Sequence, residues 1–291
     1  MQLTELIAAC AAQLNAAPLT FGHGTSNAED EAAWLALWKL GLPLDIEPAT
    51  MKDELSTDQV SAVQVLVQER IQTRKPAAYL TQEAWLQGVP FYIDERSIVP
   101  RSFIAELLAE GDIDYWLGEH TQRVLDLCTG NGSLAVLAAM TYPDVSVVGA
   151  DLSADALAVA RINVDRHNLA ERITLVQSDG LNSVPGLFDL MLCNPPYVCA
   201  SSMQALPAEF LAEPALALAG GEDGMDFIRQ LLLDGPAHLS ECGVLVLEIG
   251  HEREHFEAAF PKLEVIWLET SAGEDQVLLV TRTSLLTLQA S

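Results

Sequence analysis

Apolar residues recur at helical spacing through positions 1–80, as at Leu3, Leu6, Ile7 and Cys10 and again at Trp34, Leu37 and Trp38, with no β-branched run among them. The stretch "LGLPLDIEP" breaks this pattern. "STDQVSAVQVLVQERIQTRKP" restarts it behind a cap at Ser56 or Thr57 and stops before Pro76. The spacing therefore predicts a small helical bundle over residues 1–80. In "VPFYIDERSIVPRSF", aromatic and branched residues flank the turn-forming "DER" and predict a short hairpin inside a linker over 81–105.

From about residue 120 the pattern changes to strand-like runs separated by helical ones. Strands are predicted at "RVLDLC", "VSVVGA", "ITLVQ", "LFDLMLC", "GVLVLEI", "LEVIWLE" and "QVLLVTR". Between two of them, "SADALAVARINVDRHN" starts at a Ser153 cap and keeps its apolar residues on one helical face. Alternation of this kind argues for an α/β domain over 106–291, a parallel sheet with helices on both faces.

Half of the 291 residues are apolar, which is enough for a sizeable core and argues against disorder. The net charge is −26, with 10 acids and 5 bases in residues 1–80 and 31 and 10 in the rest. Neither part offers a basic footprint for nucleic acid, and an acidic surface favours basic partners. Cys10, Cys128, Cys193, Cys199 and Cys242 form an odd set with no C-x-x-C spacing, which suits a reducing cytosol rather than a disulfide framework. "MQLTELIAAC" lacks the basic start of a signal peptide, and no apolar run has the length of a membrane span, so a cytoplasmic protein is expected.

Candidate chemistry begins at "VLDLCTGNGSLAV", which sets Gly130 and Gly132 between the first strand of the sheet and a helix. Glycine lets main chain approach a ligand closely, and a helix N-terminus adds a favourable dipole. Gly130-x-Gly132-x-x-Ala135 satisfies a relaxed dinucleotide fingerprint, and Asp151 lies 19 residues past Gly132, where an acid would hold ribose hydroxyls. Up to this residue NAD stays open, as does a plain tight turn. Asp126, Asp151 and Asp179 then stand at three successive strand ends. Three acids repel a pyrophosphate but suit S-adenosylmethionine, with its charged amino group, ribose hydroxyls and adenine amine.

"NPPY" follows the fourth strand, where Pro195 and Pro196 should end pairing sharply. It resembles the signature of class I methyltransferases that act on planar, conjugated nitrogens. Together with "FYIDERSIVPRS", "DLCTGNGSLAV", "LPAEFLAEPALALAGGEDGMDFIRQLL" and "LVLEIG", it makes nearly the whole chain resemble the protein glutamine N5-methyltransferases, the HemK-like family. "VPRS" is similar to the PrmB-like branch that acts on large-subunit ribosomal protein L-three.

The resemblance implies a class I S-adenosylmethionine-dependent methyltransferase domain, Rossmann-like with a seven-stranded, mostly parallel sheet, behind a small N-terminal helical domain for substrate recognition. It implies S-adenosylmethionine held by Asp126, Cys128, Thr129, Gly130, Asn131, Gly132, Asp151, Leu152, Asp179, Gly180 and Asn194. The Asn194 side-chain oxygen and the Pro195 carbonyl would accept the two hydrogens of the target amide, with Tyr197 against its flat face and Pro196 and Arg101 also on the substrate. An amide nitrogen is a poor nucleophile because its lone pair is delocalised. Acceptors fixed by rigid prolines favour the positive charge that develops as it attacks, and no strong base is needed. Two positions depart from the family pattern: Cys128 stands for the first glycine of the loop, and Phe103 for a proline.

The expected partner is a basic ribosomal protein, with no direct nucleic-acid binding and no membrane. Methylation of a peptide release factor is the nearest alternative. DNA adenine-N6 methylation shares the motif but needs a basic groove and base flipping. A non-enzymatic adaptor on a dead fold conflicts with an intact Asn194 and Asp151. "HEREH", residues 251–255, matches zinc-binding spacing, but a third ligand would have to be a distant acid such as Glu274. A solvated charged face, with no metal, is the expectation there.

Overall fold

The computed structural model describes residues 1–118 and 120–289. Helices α1 (Leu3–Ala16), α2 (Ala28–Lys39), α3 (Thr57–Thr73) and α4 (Ala77–Thr81) form the N-terminal bundle. Their apolar rows meet as the spacing requires: Leu6, Cys10 and Leu14 of α1 pack with Leu35 of α2 and with Val63 and Leu66 of α3. Ser56 is the cap of α3. Its hydroxyl accepts from the Gln59 N–H while Gln59 Oε1 accepts from the Ser56 N–H, a reciprocal arrangement worth about 1 kcal/mol.

The hairpin lies earlier than the pattern predicts. Strands β1 (Glu83–Leu86) and β2 (Val89–Tyr92) pair antiparallel around Gln87 and Gly88, whose φ values are 48° and 73°. Two successive left-handed residues make the tight turn whose twist matches a hairpin. Gln-Gly lacks the asparagine or aspartate that usually announces it. "DER" closes a separate turn, in which the Asp94 carboxylate accepts from the Arg96 main chain and guanidinium.

After α5 (Ile104–Glu110) the chain alternates through β3 (Arg123–Leu127), α6 (Ser133–Thr141), β4 (Ser146–Asp151), α7 (Ala154–Arg166), β5 (Ile173–Gln177) and β6 (Phe188–Cys193). Then come α8 (Ala200–Ala205), α9 (Asp226–Asp234), β7 (Leu239–Glu248), α10 (Arg253–Ala259), β8 (Ile266–Thr270), β9 (Gly273–Thr281) and α11 (Arg282–Gln289). The larger sheet has seven strands in the order β5-β4-β3-β6-β7-β9-β8, parallel except for β9. Each predicted strand is present, because alternate residues of one strand serve two cores. Leu190 and Leu192 of β6 face the layer of α5 and α6, while Met191 and Cys193 face that of α9 and α11.

The order of strands reverses between β3 and β6. In an open α/β sheet the crevice at the carboxyl ends beside such a reversal is where ligands bind. The loop after β3 and the "NPPY" loop after β6 both open into it.

Candidate active site

The loop after β3 begins with Cys128 at φ 62°, a left-handed conformation that costs a side-chain-bearing residue about 1–2 kcal/mol. This accounts for the glycine that the family pattern places there. Beneath the loop, Asp126 is 1% exposed, and its Oδ2 accepts from the Thr129 hydroxyl at 2.5 Å and the Ala135 N–H at 2.9 Å. Burial pushes its carboxyl up to about 7, against those two donors. Asp126 therefore does not line the cavity as expected of a cofactor ligand. It folds the loop over and caps the first turn of α6.

Gly132 lies outside the cavity lining. It caps α6 at φ 81°, and a Cβ there would stand 3.1 Å from the Ala160 side chain of α7, so its lack of a side chain permits close helix packing. Asn163 of α7, fully buried, completes the frame. Its side chain bonds the Asn131 carbonyl at 2.9 Å and both main-chain polar groups of Tyr92 in the hairpin.

Asp151 at the end of β4 is half-buried. Its Oδ2 accepts from the Gly130 N–H and its Oδ1 from the Ser153 N–H, each at 2.8 Å. Burial raises its pKa above the usual carboxylate range, opposed by these main-chain donors. A carboxylate has about four acceptor positions, so with Gly130, Leu152 and Ser153 donating it keeps room for a ligand hydroxyl. Asp179 after β5 is exposed at the far wall, and Cys128, Thr129, Gly130, Asn131, Leu152 and Gly180 also line the cavity.

At the end of β6, the Asn194 Nδ2 donates to the Arg101 carbonyl at 3.2 Å, which turns its Oδ1 to the other side. Asn194, Pro196 and Arg101 reach the cavity wall. Pro195 and Tyr197 lie outside that lining. Pro195 is buried, and the Tyr197 hydroxyl donates to Glu248 Oε1 at 3.3 Å.

The segment carrying "VPRS" is held by acids that sequence reasoning missed. Glu213 accepts both arms of the Arg101 guanidinium, at 2.7 and 2.6 Å, and the Val99 N–H at 2.9 Å. Burial works against its ionisation, yet His23 and Arg101 hold its carboxyl down to about 2. Glu248 accepts from the Ser102 hydroxyl at 2.5 Å and the Phe103 N–H at 3.0 Å. Their partners lie 112 to 146 residues away in sequence, so spacing gave no signal.

The cavity holds about 1060 Å³ of non-protein space, its open mouth included. Its two arginines are already paired: Arg101 with Glu213, and Arg96 with Asp94 at 2.6 Å. No unpaired cation thus faces a phosphate, while Asp151 and Asp179 favour a cationic ligand. The apolar side chains of Leu152, Leu216 and Phe227 also line the cavity.

Around "HEREH", the chain brings Cys199 rather than Glu274 to Glu252, the cap of α10, and to His255 within that helix. Cys199, Glu252 and His255 place one ligand-type atom each within 4.8 Å of one another. His255 Nδ1 is 2.6 Å from Glu252, and the Cys199 sulfur lies beside the hydroxyls of Ser201 and Ser202. All five cysteines are free.

Among the described residues no helix is long and apolar enough to cross a membrane. The family model "Methyltransferase small domain" matches residues 107–225. A ribosomal protein uL3 glutamine methyltransferase of Bordetella pertussis is 50% identical over 286 residues, 97% of this chain and 96% of that protein. One of Neisseria meningitidis serogroup B is 46% identical, over 98% and 94%. Among solved structures, the catalytic domain of hMettl16 in complex with a MAT2A 3′UTR hairpin has a TM-score of 0.52 at 13% identity, covering 77% of this chain and 81% of that one, a likeness of fold.

Proposed function

The chain belongs to the ribosomal protein uL3 glutamine methyltransferase family, and from that premise we propose that it methylates the side-chain amide nitrogen (N5) of a glutamine in uL3, using S-adenosylmethionine. The observation that carries the reading is the Asn194 amide: one N–H of its side chain goes to the Arg101 carbonyl, which orients the amide and leaves its oxygen to accept from a substrate. The cavity suits the donor molecule, through a half-exposed Asp151 for ribose hydroxyls, acidic walls and no unpaired arginine.

Bound S-adenosylmethionine supplies a methyl carbon on a sulfonium, an electrophile whose leaving group is a neutral thioether. Asn194 Oδ1 accepts one hydrogen of the glutamine NH₂, and the other falls to the Pro195 carbonyl, as the family resemblance implies. As the nitrogen forms its bond to carbon it becomes cationic, and a fixed acceptor gains strength at that moment. The N-methyl amide then releases its extra proton to water, so no side chain need act as a strong base.

Residues 1–80 fit as the substrate-recognition unit. They are docked by Arg70 and Arg74 on Glu209, in the same loop whose Pro214 and Leu216 border the cavity. The test is methyl transfer from labelled S-adenosylmethionine to purified uL3, a release factor and duplex DNA in parallel. Label in uL3 alone supports the proposal; preferential label in either of the others overturns the choice of substrate.

A further inference from the structure

Glu248 ends β7 with 2% of its surface exposed, and no ion pair reaches it among the described residues. A buried carboxylate without a cation is costly, and a strand end that needed only packing would be served by an apolar residue. What Glu248 has instead is three donors from two loops. Its Oε1 takes the Tyr197 hydroxyl at 3.3 Å, and its Oε2 takes the Ser102 hydroxyl at 2.5 Å and the Phe103 N–H at 3.0 Å.

Those donors sit on either side of the reacting group. Tyr197 closes the "NPPY" loop. Ser102 and Phe103 directly follow Arg101, whose carbonyl fixes which way the Asn194 amide faces. Glu213 grips the same segment from the other end, through Val99 and the Arg101 guanidinium. We propose that Glu248 is a positioning residue for methyl transfer: by tying Tyr197 to Ser102 and Phe103 it keeps the Arg101 carbonyl, and so the Asn194 oxygen, aimed at the substrate nitrogen. The inference rests on the glutamine-methylating reading above.

The tie has a pH dependence of definite sign. Burial pushes the Glu248 carboxyl up to about 7, against the pull of Ser102, the Phe103 and Ile104 main chain, and Tyr197. The other titratable groups around it are Cys193 on β6 and, on the side of Tyr197, Arg101 and Glu252; across the sheet β9 presents apolar Val277. As a carboxylate Glu248 can accept all three donors. Once protonated it carries its own O–H toward one of them, so the tie loosens as pH falls through about 7.

The test is steady-state kinetics of the full chain on uL3 from about pH 6 to about pH 9, with S-adenosylmethionine affinity measured by calorimetry. Wild-type kcat should fall on the acid side. Glu248→Gln turns one acceptor into a donor facing donors. It should lower kcat by about ten-fold or more, leave S-adenosylmethionine affinity within about two-fold, and abolish the acid limb. Ser102→Ala removes one donor from the carboxylate and should move the limb up by roughly one pH unit; it carries the test alone if the glutamine variant does not fold.

An E248Q enzyme with wild-type kcat, or one whose loss follows cofactor affinity, overturns the inference, as does an S102A limb that does not move. A wild type active on uL3 beside an unaffected E248Q overturns this inference alone. A wild type inactive on uL3 overturns the proposed function and this inference with it.

Discussion

Replacing Arg70 by methionine removes a buried cation shared by two carboxylates. Arg70 is 1% exposed, and its partners Glu31 and Glu209 are 2% and 0% exposed. Its Nε donates to Glu31 at 2.8 Å, its Nη1 reaches Glu209 at 3.5 Å, and its Nη2 donates to the Thr20 carbonyl at 3.2 Å. Glu209 keeps the fork of Arg74, at 3.0 and 2.8 Å, but Glu31 would keep only the Thr25 hydroxyl at 3.2 Å. The cost therefore lands on Glu31. Burial already raises its pKa, with Arg70 as the main opposing influence.

Breaking a buried pair by deleting one partner costs about 3–5 kcal/mol. In a chain of this size that corresponds to a fall in Tm of about 5 to 8 °C. A folded-state pKa raised further above the unfolded value gives stability that is present at low pH and lost as pH rises through the folded pKa. The deficit should thus be larger at about pH 8 than at about pH 5.5. The double variant Glu31→Gln, Arg70→Met should recover much of it, because no buried charge is then left alone. Urea unfolding at both pH values measures this. An R70M protein within about 1 kcal/mol of wild type at the higher pH, or a deficit that ignores pH, refutes the reasoning.

Asp151→Ala should weaken S-adenosylmethionine binding by roughly ten-fold to a hundred-fold, from the loss of charge-assisted hydrogen bonds worth about 1.5–3 kcal/mol; calorimetry checks it, and tight NADH binding would revive the dinucleotide reading. Asn194→Ala should keep the fold and most cofactor affinity while kcat drops by about 10² to 10³, because its acceptor matters most as the nitrogen becomes cationic. With a net charge of −26 and a basic client, kcat/KM on uL3 should fall as salt shortens the Debye length from about 10 Å to about 3 Å, and a rate indifferent to salt would contradict electrostatic capture.

The strands were legible because each central one is apolar on both faces, a run that few other contexts produce. Asn194 and Asp151 were legible as cavity-lining residues because polar groups at the carboxyl ends of such strands stand at the crevice. Asp126 shows the limit of that rule. An acid at a strand end looks the same in sequence whether it faces a ligand or turns back, as here, to the Thr129 hydroxyl and the Ala135 N–H. Sequence likewise does not disclose that the Tyr197 hydroxyl goes to Glu248 of β7. The hairpin slipped because Gln87 adopts a conformation that its side chain does not advertise. Nor does a helical pattern over residues 1–80 disclose that Arg70 and Arg74 close on Glu209 across 139 and 135 residues. Truncating at that boundary would take both arginines from Glu209.

The central claim is that the Asn194 oxygen directs a methyl group onto a glutamine side chain of uL3. Tandem mass spectrometry of uL3 after reaction with wild type and with Asn194→Ala, at matched saturation with S-adenosylmethionine, tests it most directly. Wild type should add the mass of one methylene to the side chain of a single glutamine, and the variant almost none. The same mass found on a lysine, an arginine or a terminus, or found equally with both proteins, would contradict it.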